Sequence, residues 1–156
     1  MTPRFDETVL LYAGSFNPFT RGHLRIVERA LAIAAAVIVG VGHNPDKPGN
    51  PSARERVDEI CKALSKLPAE LRERVEVVTY TGLTAEFARS LGVSALLRGV
   101  RGVQDFEFER NLADVNLKVL GMDTVILCAE PEYSYISSSV IRELASHGHD
   151  VSGLLP

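Results

Sequence analysis

Five short apolar runs, each separated from the next by a stretch of helical periodicity, constrain this chain more than any other feature. They cover residues 9–13, 37–41, 75–78, 95–97 and 125–127 and are rich in Val, Ile and Leu. Runs this short and this β-branched read as buried strands. Between them, Leu24, Val27, Ala30, Leu31 and Ala34 recur at helical spacing from His23 onward. Ser52-Ala53-Arg54-Glu55 is a capping box, opening a helix that carries Val57, Ile60, Cys61 and Leu64. Residues 84–91 form a helix stopped by Gly92, and residues 105–120 a long one stopped by Gly121. Ser137 or Ser138 caps a last helix that reaches about His147 and closes at Gly148. Strand and helix in alternation imply an α/β fold with a parallel sheet covered on both faces. Right-handed crossovers then align the carboxyl ends of all strands on one edge, where open sheets of this kind bind ligands.

The segments with chemical character all fall on that edge. They are residues 14–23 after the first run, 42–47 after the second, 98–101 after the fourth and 133–139 after the fifth. One composite site in one domain, residues 1–156, accounts for this agreement. The net charge of −3 argues against a nucleic-acid surface, so an anion site here has to be a local cluster. Cys61 and Cys128 are too few for a disulfide framework and have no metal-ligand spacing. They read as free thiols of a reducing compartment. Residues 1–8 lack a signal core, and the apolar stretch at 30–41 is too short to span a bilayer. A cytoplasmic protein with no membrane partner is expected.

Gly14-Ser15-Phe16-Asn17-Pro18-Phe19-Thr20-Arg21-Gly22-His23 is the most specific stretch. Two glycines let backbone turn sharply and approach a ligand. Amides at a helix start favour anions, and His23 adds a directed donor, or a cation when protonated. Phosphate chemistry follows, without a P-loop, since no Gly-x-x-x-x-Gly-Lys-Ser/Thr occurs. Ser15 places a hydroxyl within reach of a phosphate; without a Gly-x-Ser-x-Gly elbow it is no hydrolase nucleophile. Arg98 and Arg101, flanking Gly99-Val100, either clamp phosphate oxygens or pair with Asp105, Glu107 and Glu109 in a solvated cluster. Of Ser137-Ser138-Ser139, one hydroxyl caps the helix, and the others suit a polyphosphate or simply a polar turn. Lys47 sits on a loop where most lysines are merely solvated. His43 reads as incidental, His147 and His149 as companions of a helix end, and Arg142 as a surface residue.

Assembled, these segments resemble bacterial phosphopantetheine adenylyltransferase, a family of nucleotidyltransferases with a Thr/His-x-Gly-His signature. Gly14-Ser15-Phe16-x-Pro18 and Thr20-x-Gly22-His23 match the motif shared across that superfamily. Arg98-Gly99-Val100-Arg101 with Asp105-Phe106-Glu107-Phe108-Glu109, and Ile136-Ser137-Ser138-Ser139, match more specific ones. The resemblance implies a single-domain, Rossmann-like, doubly wound parallel five-stranded sheet of nucleotidyltransferase type. It implies transfer of AMP from ATP to 4′-phosphopantetheine, giving dephospho-coenzyme A and pyrophosphate with Mg²⁺, in a homohexamer subject to coenzyme A as a product-type regulator. It also implies roles. His23, Lys47 and Arg98 would be catalytic, His23 at the α-phosphate. Ser15, Lys47, Thr84 and Arg98 would bind the acceptor. Ser15, Phe16, His23, Gly99, Val100, Arg101, Glu109, Tyr133, Ser134, Tyr135, Ile136, Ser137, Ser138 and Ser139 would bind ATP. Two other readings stand beside this one: another adenylyl- or cytidylyltransferase, acting on nicotinate mononucleotide or a small phosphorylated alcohol, and a nucleotide-binding regulatory module without turnover. An electron-transfer flavoprotein has only layer architecture in its favour.

Overall fold

A computed structural model describes residues 7–46 and 51–156. Its centre is a five-stranded parallel sheet in the order β3-β2-β1-β4-β5. The strands are β1 (Val9–Gly14), β2 (Ala36–Gly42), β3 (Val75–Tyr80), β4 (Ala95–Val100) and β5 (Thr124–Cys128). Each contains the corresponding apolar run and extends it by a residue or more. The helices are α1 (Arg21–Ala30), α2 (Ala53–Leu64), α3 (Ala69–Arg72), α4 (Thr84–Leu91), α5 (Val103–Leu120) and α6 (Ser138–Ser146). The short α3 has no counterpart in the sequence pattern, because four residues give no periodicity to read.

Alternation along β1 divides the core in two. Leu10 and Tyr12 point to one face, where Ile26, Val27 and Ala30 of α1 and Ile60, Ala63 and Leu64 of α2 cover them. Leu11 and Ala13 point to the other, against Ala85 and Ala88 of α4 and Met122. The connections leave β1 toward β2 over the first face, and reach β4 and β5 over the second. The sheet therefore switches direction between β1 and β4, where diverging connections open a crevice.

Helix ends follow local chemistry. Ser52 Oγ accepts from the Glu55 amide, and Glu55 reaches back to the Ser52 amide, as the capping box predicts. Gly92 and Gly121 end α4 and α5 with φ of 69° and 64°, a conformation that costs glycine little. The buried face of α2 differs from the expected one. Arg56, Ile60, Ala63 and Leu64 face inward, while Cys61 is exposed. An Arg at that position disguises the true apolar stripe.

Candidate active site

A cleft of about 400 Å³ opens at the carboxyl ends of β1 and β4, at the switch point. Ser15, Phe16, His23, Arg98, Gly99, Val100, Arg101, Glu109, Tyr133, Ile136 and Ser137, Ser138 and Ser139 all line it. Stretches of the chain separated by more than a hundred residues thus meet at one place, as the sequence requires. Lys47 lies outside the described residues. Ser134 and Tyr135 do not reach the cleft: the Ser134 hydroxyl donates to the Pro131 carbonyl, and Tyr135 is 68% exposed. Thr84 is not among the residues bordering it; it opens α4 after β3 and bonds Tyr80 through its hydroxyl at 2.7 Å.

The loop after β1 turns by a route the glycines do not predict. Phe16, not a glycine, takes the positive φ of 47°. Gly14 matters for space instead, since a Cβ there would stand 3.2 Å from the Phe16 ring. That ring, buried at 4% exposure, meets Tyr12, Phe19 and His23 edge-on at centroid distances of 5.2, 5.4 and 5.1 Å. Aromatic rings therefore pack around His23 within the wall of the cleft.

Thr20 fixes the imidazole. It caps α1, accepting from the His23 amide at 3.2 Å, while the Thr20 amide donates to His23 Nδ1 at 2.9 Å. This is a capping box with an imidazole where Glu or Gln is usual. A backbone N–H can only donate, so Nδ1 is the bare nitrogen and Nε2 carries the hydrogen. The sequence leaves open whether His23 acts as a cation, and its surroundings favour the neutral form. Burial, helped by the nearby Arg101 and Arg98 charges, lowers its pKa to about 4. His23 is a neutral donor.

The two arginines resolve into ion pairs that still face the cleft. Arg98 holds Glu109 bidentately, Nε to Oε2 at 2.9 Å and Nη2 to Oε1 at 2.7 Å, and donates from Nη1 to the Ala13 carbonyl at 2.7 Å. Burial pulls the Arg98 pKa down, but the Glu109 carboxylate more than offsets this, and the net shift is upward. Three of five N–H groups are thereby engaged, leaving one on each terminal nitrogen. Both oxygens of Glu109, itself buried, go to Arg98, so its role in this structure is to hold that guanidinium. Arg101 pairs with Asp105 at 2.9 Å on a more exposed rim. The sequence-level alternatives are thus not exclusive: these side chains are paired and also line the cleft.

The serines divide their work. Ser137 caps α6 through the Val140 amide, and its hydroxyl lies 3.3 Å from that of Ser139. Ser138 donates to the Pro18 carbonyl at 2.8 Å and so ties α6 to the β1 loop. Arg142, expected to be a plain surface residue, is exposed but borders the cleft and donates to the Asn17 carbonyl. One helical turn from Ser138, its position was the signal that could have found it. Tyr12 also lines the cleft, and burial pushes its hydroxyl pKa up.

Comparison with known proteins fits this geometry. The chain superposes over 96% of its length on a putative nicotinate-nucleotide adenylyltransferase from Vibrio parahaemolyticus, covering 93% of it, with a TM-score of 0.62 at 18% identity. It also superposes over 96% of its length on a bifunctional NMN adenylyltransferase/ADP ribose pyrophosphatase from Francisella tularensis complexed with AMP and a manganese ion. There the TM-score is 0.67 at 16% identity, and the chain spans 44% of that larger protein. At such identities the likeness is one of fold. The sequence profile described as cytidylyltransferase-like matches residues 11–144. Fold and site together define a nucleotidyltransferase of cytidylyltransferase-like type.

Full-length relatives narrow the class. A phosphopantetheine adenylyltransferase of Porphyromonas gingivalis is 48% identical over 150 residues, 96% of this chain and 95% of the relative. Another, from Phocaeicola vulgatus, is 40% identical over 94% of this chain and 93% of its own. The chain belongs to the phosphopantetheine adenylyltransferase family.

Proposed function

We propose that the cleft transfers AMP from ATP to 4′-phosphopantetheine, the step of coenzyme A biosynthesis that yields dephospho-coenzyme A and pyrophosphate. An oxygen of the acceptor phosphate attacks the α-phosphorus. One P–O bond forms, the α–β P–O bond breaks, and pyrophosphate leaves with its electron pair. The attacking group is already an anion, so no general base is required, and catalysis reduces to positioning and charge stabilisation. The observation that carries this reading is the fixed imidazole. With Nδ1 held by the Thr20 amide, His23 keeps Nε2–H as the donor for charge developing on the α-phosphate. Arg98 and the open hydroxyl of Ser15 serve the acceptor phosphate in this reading, and Lys47 joins them from its loop. Gly99 to Arg101 and the Ser137 end of α6 serve the nucleotide.

Mg²⁺ belongs to the proposal as ATP's companion. The wall carboxylates Asp105 and Glu109 are both held by arginines, and no cluster of three metal-ligating side chains occurs among the described residues. These residues do not fit a protein-held Mg²⁺, and no step is drawn through one; nucleotide phosphates and water would supply its ligands.

The homohexamer is likewise a proposal. Phe108, Leu112, Val115 and Val119 form one stripe along α5 and are 65, 40, 54 and 72% exposed, an apolar face that suits a second copy of the chain. Light scattering on the wild type and on Val115→Glu tests it: the expected result is an oligomer that the charge dissociates, and a wild-type monomer would refute it. Coenzyme A, which shares the product's pantetheine arm, is read as competing for the same cleft. No helix among the described residues is long and apolar enough to cross a membrane; a cytoplasmic location is part of the reading.

The deciding experiment supplies ATP with 4′-phosphopantetheine or nicotinate mononucleotide and follows pyrophosphate. Release with the first acceptor is expected. Preference for the second would replace this reading, and ATP binding without release would favour the regulatory module.

A further inference from the structure

Arg56 is a buried cation that the reaction as described does not use. It is 6% exposed, and no other Lys or Arg among the described residues is buried. Its Nη1 donates to the Ser15 carbonyl and, at 3.1 Å, to the Gly42 carbonyl. Its Nε is buried without a hydrogen-bond partner. None of the ion pairs among the described residues includes it, whereas Arg98 and Arg101 each hold a carboxylate.

Bridging two carbonyls needs donors but not a charge, and a neutral side chain buries more cheaply. Arg98 grips β1 at Ala13 from the other side, with its charge matched by Glu109. Arg56 grips the same strand end at Ser15 with its charge unmatched. The excess positive charge thus lies directly behind the residue whose hydroxyl opens on the cleft, and beside the end of β2, where the loop of Lys47 begins.

We propose that Arg56 is a positioning residue for the acceptor phosphate. It pins Ser15 and the end of β2 in one arrangement, and its unpaired guanidinium lends that side of the cleft a positive field completed only when an anion arrives. The inference rests on the reading of Ser15 as the acceptor-phosphate side, and it names a residue that acts through Ser15 rather than by touching substrate.

Two variants separate charge from bracing: Arg56→Gln keeps an N–H donor and loses the charge, and Arg56→Lys keeps both but loses the fork. The readouts are steady-state KM for each substrate, thermal melting, and direct calorimetric binding of inorganic phosphate. At an effective dielectric of about 20, removing a unit charge roughly 12 Å from an anion weakens its binding about tenfold, and a nearer charge by more. Arg56→Gln should therefore raise KM for 4′-phosphopantetheine and Kd for inorganic phosphate about tenfold, with KM for ATP moving less than about threefold. Arg56→Lys should hold phosphate affinity within about threefold of wild type. If the Gln variant does not fold, Arg56→Met, which also removes the charge, takes its place in the comparison with Arg56→Lys. A folded Gln variant that binds phosphate like wild type, a Lys variant as weak as the Gln variant, or an ATP KM that rises in step would each overturn the inference. A wild type that binds phosphate in this Arg56-dependent way yet releases no pyrophosphate would sink the proposed reaction and leave the inference standing.

Discussion

Replacing His23 tests the catalytic reading most directly. The imidazole is held on three sides: by the Thr20 amide at Nδ1 and by the rings of Phe16 and Phe19. Its one free polar group is Nε2–H. A preorganised donor of this kind, aimed at developing charge, is worth roughly 3–4 kcal/mol in the transition state. At about 1.4 kcal/mol per decade, His23→Ala should lower kcat by two to three orders of magnitude. Ground-state contacts of ATP are spread over Arg101 and the α6 end as well, so KM for ATP should move less than about fivefold. The assay is pyrophosphate release at saturating ATP and acceptor, with His23→Gln as control, since its amide N–H ends near the site of Nε2 and should recover part of the loss. Because the donor is neutral, the ring should titrate near pH 4 in the ligand-free protein, read by NMR of the imidazole carbons. A kcat for His23→Ala within tenfold of wild type, or a titration midpoint at 6.5 or above, would refute the reasoning.

Other outcomes follow from the same contacts. Glu109→Gln leaves the Arg98 guanidinium unpaired in a half-buried place, and should cost about 2–3 kcal/mol and lower the melting temperature by roughly 5–10 °C; an unchanged melting curve would show that the pair contributes nothing. Thr20→Ala removes the side-chain cap of α1, worth about 1 kcal/mol, but leaves the backbone amide that sets the imidazole tautomer. Melting should therefore suffer while turnover falls less than about tenfold, and a loss matching that of His23→Ala would mean the hydroxyl, not the amide, orients the ring. His23 also links stability to acidity. Its folded-state pKa, about 4, lies below the 6.5 of an unfolded histidine, so between these values the unfolded chain binds more protons. Denaturant midpoints should fall as pH drops from 6.5 toward 4, and His23→Gln should flatten that slope; the same slope in both proteins would remove His23 as its cause.

Much of the frame is legible in the sequence because its causes are local. Val37, Ile38 and Val39 form a strand for reasons of side-chain shape, and Gly92 and Gly121 stop helices because the left-handed turn excludes most alternatives. The composite site is legible one level up, since parallel topology sends residues 14–23, 98–101 and 133–139 to the same edge whatever their separation. What stays hidden depends on neighbours that no window contains. Arg56 looks like a solvated helix residue until β1 and β2 close over it. The protonation of His23 turns on burial and on arginines some 75 residues away. The left-handed turn falls at Phe16, and Gly14 provides room rather than the bend. The surroundings of Thr84 and Tyr135 stay hidden for the same reason, because matching a motif fixes a place in the chain, not a direction for the side chain.

The position of β1 has one more consequence. Residues Leu10 to Tyr12 are paired on both flanks, with β2 and with β4, while among the described residues β3 and β5 are each paired on one side. Amides at the middle of such a sheet exchange with solvent only when most of the molecule opens. Fraying at either margin would therefore leave the His23 loop seated, so that deuterium uptake should reach the outer strands long before it reaches the segment from which that loop departs.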